Sequence, residues 1–145
     1  MVILSGGAVA ERGGVIVGFS RMNRVIEFDE VGRSVVVEPG VVTNHINEVL
    51  EGDGLFYPGY PMSLETCFIG GNVAENSGGP RTPKYGVTTN HVLGLEVVLD
   101  DGHTVWLGGR VPDVPGYDLC GAFVGSEGTL GIVTAAVVRL MRVRE

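Results

Sequence analysis

Glycine is the residue that most constrains how this chain can fold, because 24 of its 145 residues are Gly. A typical protein has about 7% Gly. Flexible linkers combine glycine with serine and few apolar residues, whereas here glycine separates apolar runs such as GGVIVGF, RSVVVEPG and LGLEVVL. With 44% hydrophobic residues and no repeat or linker, the sequence predicts one domain over residues 1–145 in which the glycines form turns.

Short apolar runs rich in β-branched residues predict a sheet as the main structural element. Asp-Asp-Gly at 100–102 lies between two of these runs and predicts a tight hairpin, so its two strands are expected to be antiparallel. Apolar residues recur at helical spacing over 42–50 and stop at Gly52, and a second short helix is predicted near Gly71. Strands with inserted helices, rather than regular alternation, favour an α+β fold with a mainly antiparallel sheet and flanking helices. The predicted strands are residues 15–19, 25–28, 33–38, 93–99, 104–107 and 131–140.

Charge and hydropathy argue against two kinds of partner. A formal net charge of −7 is unfavourable for a protein that must neutralise many nucleic-acid phosphates. No apolar run reaches the roughly 20 residues that a membrane helix requires, so no membrane span is predicted. The N-terminal residues lack the basic and apolar regions of a secretory leader, and the cytoplasm is therefore the expected compartment.

The cysteines and histidines predict neither a disulfide nor a metal site. Cys67 and Cys120 are far apart in the sequence and have no CxxC spacing, so they are expected to be small buried side chains. His45, His91 and His103 lie in three different segments without the spacing of metal ligands. We therefore assign no metal to this chain.

Four loops combine glycine with small polar residues, at 4–7, 38–40, 69–80 and 125–134. Neither the GxxxxGK[ST] phosphate loop nor the GxGxxG dinucleotide fingerprint is present. Glycine lacks Cβ, so its N–H can approach a ligand closely, and successive N–H groups form a nest for phosphate oxygens. Each short loop is better explained as a tight turn, whereas the long glycine-rich segment 69–80 favours a role in binding a ligand.

Aromatic residues near these loops could provide flat surfaces for a large cofactor. Tyr57 and Tyr85 are the residues that the sequence suggests for this role. Trp106 alternates with apolar neighbours in a predicted strand, which indicates packing in the core or on the sheet rather than stacking on a ligand.

Two long segments resemble a known family of flavoproteins. They are IGGNVAENSGGPRTPKYGVTTNHVLGLEVVLDDG at 69–102 and GYDLCGAFVGSEGTLGIVT at 116–134. Together with LSGGAV, VEPGVV and GLFYPGYP in the same order, they are similar to the FAD-binding domain of the D-lactate dehydrogenase and glycolate oxidase family, which has the PCMH-type fold of the vanillyl-alcohol-oxidase superfamily. The resemblance covers almost the whole chain. It implies an FAD-dependent oxidoreductase that acts on a small 2-hydroxy acid.

The resemblance also implies which stretches contact FAD. The stretch at 5–7 would end a loop around the pyrophosphate, and the stretches at 39–40 and 58–63 would approach the flavin. The segment 69–79 would wrap the pyrophosphate and ribityl groups, and the stretch at 127–133 would lie near the adenosine. The implied cofactor-binding residues are Ser5, Gly6, Gly7, Pro39, Gly40, Pro58, Pro61, Ile69, Gly70, Gly71, Asn72, Asn76, Gly78, Gly79, Tyr85, Gly86, Val87, Glu127, Gly128, Gly131, Ile132 and Val133.

The sequence departs from the family's pattern at both ends. The family has a further glycine-rich stretch and strands before LSGG, and a cap domain with much of the substrate site after the strand that ends near Leu140. The chain is therefore expected to be an incomplete FAD-binding domain and to be inactive in isolation. Noncovalent FAD is expected, since the loop in which some relatives attach FAD to histidine would precede Leu4. The catalytic residues remain unknown.

Two hypotheses for the function stay open. The first is an FAD-dependent dehydrogenase or oxidase of a small 2-hydroxy acid such as D-lactate or glycolate, in which the flavin accepts hydride. The second is a noncatalytic flavin-binding subunit or a truncated remnant that needs partner chains. Unpaired strand edges would favour association with a partner subunit or a second copy.

Overall fold

The computed structural model describes residues 9–111 and 115–143, and its main element is a five-stranded sheet. The strand order is β1-β2-β6-β4-β5, and every neighbouring pair is antiparallel. Short helices connect the strands, so the predicted α+β class with a mainly antiparallel sheet is confirmed. The strands of this sheet are β1 (Val25–Asp29), β2 (Ser34–Val37), β4 (Val92–Val98), β5 (Thr104–Gly108) and β6 (Ile132–Arg139), and a separate two-stranded ladder pairs β3 (Leu55–Phe56) with β7 (Met141–Arg142).

Four short helices and one 3-10 turn lie between these strands in the described ranges 9–111 and 115–143. The predicted first helix is confirmed; it ends at Val49, and Gly52, with a φ of +104°, lies in the turn that follows. The predicted helix near Gly71 is also confirmed. The sequence did not reveal the two other helices, which are short. The helices are α1 (Thr43–Val49), α2 (Ile69–Glu75), α3 (Thr82–Tyr85) and α4 (Leu119–Phe123), and the 3-10 turn is Thr88–Asn90.

The strand β6 occupies the centre of the sheet although it comes last among the five strands in the sequence. It pairs with β2 on one side and with β4 on the other. Val37, Leu95 and Val138 from these three strands are fully buried in one hydrophobic cluster with Ile46 of α1 and Val73 of α2. The central strand therefore joins the first half of the chain to the second, and the two predicted helices cover one face of the sheet.

The predicted hairpin at 100–102 is confirmed. Strands β4 and β5 are antiparallel, and Val98 lies opposite Thr104 at the end of the ladder. Gly102 has a φ of +83°, a conformation that a side chain with Cβ rarely adopts. The Asp-Asp-Gly sequence thus positions β5 as the edge strand of the sheet.

The predicted strand at 15–19 is wrong. These residues have no ladder partner, and the side chains of Val15, Ile16 and Val17 are 92%, 70% and 55% exposed. A strand is stabilised by a neighbouring strand, and β-branched residues alone do not specify that neighbour. The apolar pattern therefore marks a segment able to form a strand, but the described residues provide no partner for it.

Burial tests what the sequence predicted for the two cysteines and for Trp106. Cys67 and Cys120 are both buried free thiols, as predicted. Trp106 of β5 lies opposite Glu96 of β4, and its ring is about half exposed. Trp106 therefore lies on an exposed part of the sheet and does not contribute to the core.

The turn that follows β2 is fixed by the buried carboxylate of Glu38. Its Oε2 accepts a hydrogen bond from the Arg24 backbone N–H at 2.8 Å, and its Oε1 accepts from the Arg24 guanidinium at 2.7 Å. Hydrogen bonds from the Arg24 side chain and backbone hold the pKa of the Glu38 carboxyl below its ordinary value. Glu38 immediately precedes Pro39 and Gly40, so this pair orients one of the predicted cofactor loops.

We expect Glu38→Gln to lower the thermal stability of the domain at neutral pH. We also expect the thermal stability to depend less on pH in the acid range. Because the carboxyl pKa is lower in the folded state, its contribution is complete above the unfolded pKa and is lost as the pH falls through the folded pKa. Thermal melting between about pH 6 and pH 3 is the measurement. Glu27→Gln is the matched control, since Glu27 bonds Arg110 at 2.6 Å on the exposed surface. Equal effects of the two substitutions would contradict the role of the buried carboxylate.

Candidate functional site

The turn at Pro39 and Gly40 meets the N-terminal end of α2. The backbone N–H of Gly70 donates to the carbonyl of Pro39 at 2.8 Å, and that of Ile69 donates to the carbonyl of Val41 at 2.9 Å. A Cβ on Gly70 would lie only 2.6 Å from the Cβ of Pro39. The absence of a side chain at Gly70 therefore allows the turn after β2 to pack against the helix.

The glycine loop that precedes β6 meets the opposite end of the same helix. Gly125 donates its N–H to the carbonyl of Val73, and Glu127 donates to the carbonyl of Ala74, each at 2.9 Å. The last carbonyls of a helix have no donor within the helix, so these loop amides satisfy them. The loop is bent by positive φ angles at Gly125, Glu127 and Gly128. Two separate glycine loops thus contact the two ends of α2.

The residue after α2 joins a third segment to this site. Asn76 has a φ of +50°, and its side-chain oxygen accepts a hydrogen bond from the N–H of Thr89 at 2.9 Å. Thr88 donates its hydroxyl to the carbonyl of Ser77 at 2.8 Å. The 3-10 turn before β4 is therefore fastened to the C-terminal end of α2.

A proline-containing loop packs against Gly79. A Cβ on Gly79 would lie 2.8 Å from the Cα of Pro61 and would overlap the carbonyl oxygen of Tyr60. The N–H of Gly79 donates to the hydroxyl of Thr82 at 2.7 Å, which starts α3. We define the proline loop as residues 58–61, and its contact with Gly79 places it beside the segment that follows α2.

The stretch from Tyr85 to Val87 is held by two side chains of the following segment. The Asn90 side-chain oxygen accepts from the Val87 N–H at 2.9 Å, and His91 Nε2 donates to the Tyr85 carbonyl at 2.9 Å. Burial lowers the pKa of His91, which favours the neutral imidazole with its proton on Nε2. Gly86, with a φ of +84°, makes the bend between the two contacts.

Nine of the described glycines have free space where a side chain would project, and two of them, Gly71 and Gly128, lie in the predicted cofactor loops. A Cβ placed on Gly71 of α2 meets no atom within 4 Å, and the same holds for Gly128. Gly71 has no positive φ, so its lack of a side chain is not required by the backbone or by packing within the described residues. The two positions lie on the helix and on the loop that contacts its end, and they leave room for a ligand to approach the backbone. A large cofactor with a phosphate-containing chain fits such a surface.

Two predicted site residues, Ile69 and Asn72, contribute their side chains to the protein interior. Ile69 is fully buried in the core, and Asn72 is buried with its amide nitrogen donating to the Thr43 hydroxyl at 2.7 Å. Ile132 and Val133 begin β6, where Gly131 packs against β4. These residues position the loops. Their contacts with a ligand stay predictions. Ser5, Gly6 and Gly7 lie outside the described residues.

Tyr57 was wrongly expected to offer a flat surface to a cofactor. Its ring is fully buried and packs edge-to-face on His91, with 6.0 Å between the ring centroids. Tyr85 is half-buried, and its ring lies edge-to-face to Phe56 at 5.7 Å. Tyr60 lies in the predicted stretch 58–63 but was not singled out from the sequence, and it is only partly buried in the proline loop. The spacing in FYPGYP offered a signal, because residues three positions apart in an extended segment point to opposite sides.

Metal binding and membrane insertion receive no support from the structure. Among residues 9–111 and 115–143, no group of three or more His, Cys, Asp or Glu side chains could hold a metal ion. Within the same ranges, no helix has the length and hydrophobicity needed to cross a bilayer.

Glycine-rich loops gathered on one short helix beside an antiparallel sheet define a class of cofactor-binding domains. A family model described as "FAD binding domain" matches residues 3–108 of this chain. The chain therefore belongs to the FAD-binding domain family, and FAD is its cofactor. The resemblance stated from the sequence is confirmed.

Curated relatives and a solved structure agree with this assignment. The chain is 50% identical over 139 residues to glycolate oxidase subunit GlcD of Bacillus subtilis, with 95% of this chain and 30% of that protein covered. It is 43% identical to a D-2-hydroxyglutarate dehydrogenase of Stutzerimonas stutzeri, covering 96% of this chain and 30% of that protein. A solved alkyldihydroxyacetonephosphate synthase is 28% identical with a TM-score of 0.73, covering 87% of this chain and 22% of that one. The chain thus spans about 30% of the length of these curated relatives.

Proposed function

We propose that this chain is the FAD-binding core of an oxidoreductase that oxidises a small 2-hydroxy acid such as D-lactate or glycolate. The observation that carries the proposal is the contact of glycine loops with both ends of α2, made by Gly70 with Pro39 and by Gly125 and Glu127 with the last turn. The substrate class rests on the relatives, which include glycolate oxidase, D-2-hydroxyglutarate dehydrogenase and a D-lactate dehydrogenase of Anaerostipes hadrus. All three names refer to 2-hydroxy acids.

In this proposal FAD is held noncovalently, mainly by backbone groups. Gly71 and Gly128 provide the close approaches, since both have free space above the backbone. Gly79 and Pro61 form the wall between the segment after α2 and the proline loop. The full set of proposed contacts is the one implied by the family resemblance, including Ser5, Gly6 and Gly7.

The bound flavin would supply the two-electron acceptor for the oxidation. The chain's own residues would bind and orient it. The Asn90 and His91 side chains fix the Tyr85 to Val87 stretch through the hydrogen bonds described above. The neutral His91 does not add a charge beneath that stretch. No general base is assigned in this chain, and the proposal requires none from the domain described here.

The first test is the visible spectrum of the purified chain with and without added FAD. We expect a flavin spectrum whose bands shift on binding, and release of intact FAD when the protein is denatured. A chain that gives no spectral change across an FAD titration while remaining folded would contradict the proposal. Flavin that stays attached after denaturation would contradict the noncovalent mode alone.

A second candidate is a flavin-binding subunit that works with separate chains. The exposed apolar side chains of Val15, Ile16 and Val17 favour it, because an unpaired extended segment can accept a strand from another chain. Sedimentation velocity distinguishes the candidates. A concentration-dependent dimer, or activity that appears only when a second chain is added, would support the subunit. A monomer with hydroxy-acid activity would contradict it.

Two further assignments are part of the proposal. We place residues 1–145 in one domain, and support comes from β6, which lies beyond the family-model match yet pairs with both β2 and β4. We also propose the cytoplasm as the compartment, which is consistent with Cys67 and Cys120 being free thiols.

A further inference from the structure

An arginine beside the proline loop is packed against two aromatic rings. The guanidinium carbon of Arg81 lies 5.1 Å from the ring centroid of Phe56 and 5.1 Å from that of Tyr60. Phe56 in turn packs edge-to-face on Tyr85, and the Lys84 ammonium lies 4.9 Å from the Tyr85 centroid. We define these five residues as the Arg81 cluster. Three aromatic rings thus form a base on which two positive charges are held.

The charge of Arg81 has no counter-ion in the part of the chain that is described. No carboxylate lies within 4 Å of its guanidinium there, and its side chain makes no hydrogen bond to those residues. Arg24 and Arg110, in contrast, are each paired with a glutamate. Arg81 is exposed, and it shares the lack of a carboxylate partner with most described arginines, so its distinguishing feature is its packing against two rings. The Arg81 cluster is therefore a positive site in a predominantly negative protein.

The guanidinium of Arg81 can bind a ligand, because the residue is exposed and its side chain makes no hydrogen bond to the described residues. Arginine stacks on aromatic rings through its flat face, while its N–H groups point outward in the plane of the group. Those N–H groups form a fork that matches the two oxygens of a carboxylate. The rings also limit the rotamers of the side chain, so less conformational entropy is lost when an anion binds. An oxyanion is the ligand that this arrangement fits.

The Arg81 cluster adjoins the proposed cofactor site. Tyr60 belongs to the proline loop, and its carbonyl and the following Pro61 touch the position where Gly79 lacks a side chain. Arg81 follows Gly79 by two residues and precedes α3, which begins at Thr82. An anion bound by Arg81 would therefore lie next to the loops that hold FAD, and not on a remote surface.

We propose that Arg81, oriented by Phe56 and Tyr60, binds the carboxylate of the 2-hydroxy-acid substrate and so contributes to substrate specificity within the FAD-binding domain. This inference rests on the proposed function. The pyrophosphate of FAD is the other source of an oxyanion near these loops. The arginine fork binds carboxylates and phosphates alike. The carboxylate is favoured because the amides of the glycine loops are the proposed partners of the phosphate chain.

The test uses oxalate, a planar carboxylate that the flavin cannot dehydrogenate. In the full chain, the side-chain Nε–H resonance of Arg81 is followed by NMR during oxalate titration, first without FAD and then with FAD, at constant ionic strength set by chloride. We expect a saturable shift of this resonance. Arg81→Met should weaken oxalate binding by about tenfold or more, as expected for loss of a charged hydrogen bond. Binding to this variant is measured from the NMR signals of the remaining cluster residues. Arg110→Met is the control, since it removes the same charge from an exposed pair.

The outcomes separate this inference from the proposed function. A shift of the Arg81 resonance without FAD supports anion binding even if the chain fails to bind FAD, which would contradict the proposed function alone. If Arg81→Met leaves oxalate binding unchanged, the inference is overturned. If Arg81→Met weakens FAD binding but not oxalate binding, Arg81 is a cofactor residue and the carboxylate assignment is wrong. Circular dichroism melting of Arg81→Met excludes unfolding, and Arg81→Lys, which keeps the charge without the fork, should bind oxalate with intermediate affinity.

Discussion

Gly40→Ala is expected to destabilise the domain by about 3 kcal/mol, the upper part of the usual range for overpacking a buried site. Gly40 is buried, and a Cβ at this position would lie 2.7 Å from the carbonyl oxygen of Met22 and would overlap the carbonyl of Phe19. Both contacts are with backbone atoms, so no side-chain rotation can relieve them. Urea unfolding of the apo chain is the measurement.

Gly18→Ala provides the matched control for Gly40→Ala. A Cβ on Gly18 meets no atom within 4 Å, and the residue has no positive φ. Its replacement should change the free energy of unfolding by less than about 0.5 kcal/mol. Equal stability of the Gly40→Ala chain and the wild-type chain would show that the turn after β2 can move away from residues 19–22.

Gly71→Val is expected to raise the dissociation constant for FAD by at least about tenfold, equivalent to loss of one hydrogen bond to a charged group. A valine side chain would fill the free space over α2 that is proposed for the cofactor. The stability of the apo chain should be retained, because a helical valine has a higher helix propensity than glycine and meets no neighbouring atom. Fluorescence titration with FAD measures the affinity, and thermal melting of the apo chain measures the stability.

The control for Gly71→Val is Gly18→Val, which adds the same side chain in another open position. It should leave FAD affinity unchanged. If Gly71→Val binds FAD as tightly as the wild type, FAD does not occupy the free space over α2, and Gly71 is not part of the cofactor site. Unlike Gly40→Ala, this substitution separates an effect on the ligand from an effect on the fold.

The local elements of the fold were largely predictable from the sequence. Runs of β-branched residues marked all five strands of the sheet, and the glycine at 102 identified the hairpin between β4 and β5. Helix α1 followed from apolar residues at helical spacing. These features depend on a few neighbouring residues, so a local pattern is sufficient to specify them.

Features that depend on distant residues were not predictable from local patterns. The segment at 15–19 has the composition of a strand but lacks a partner, since pairing is decided by residues far away in the sequence. The placement of β6 between β2 and β4 likewise requires long-range pairing. Strand composition therefore predicted the elements better than their order.

The candidate site shows the same division. The glycine loops were identified by composition and family resemblance, yet the environment of each side chain was not. Tyr57 is buried while Tyr60, three residues later, contacts Arg81. Asn72 was predicted as a cofactor contact, and its side-chain amide bonds the Thr43 hydroxyl. A pattern identifies a loop, whereas the direction of each side chain depends on packing against other parts of the chain.

The central position of β6 has a consequence for how the chain folds. Until residues 132–139 have left the ribosome, neither β2 nor β4 can form the ladder that joins them, and each exposes unpaired backbone groups. The nascent chain must therefore hold two hairpins with unpaired edges, β1–β2 and β4–β5, until residues 132–139 become available. Such non-local pairing makes folding slow and exposes intermediates to aggregation, so this domain should depend on chaperones more than a sheet built from consecutive strands.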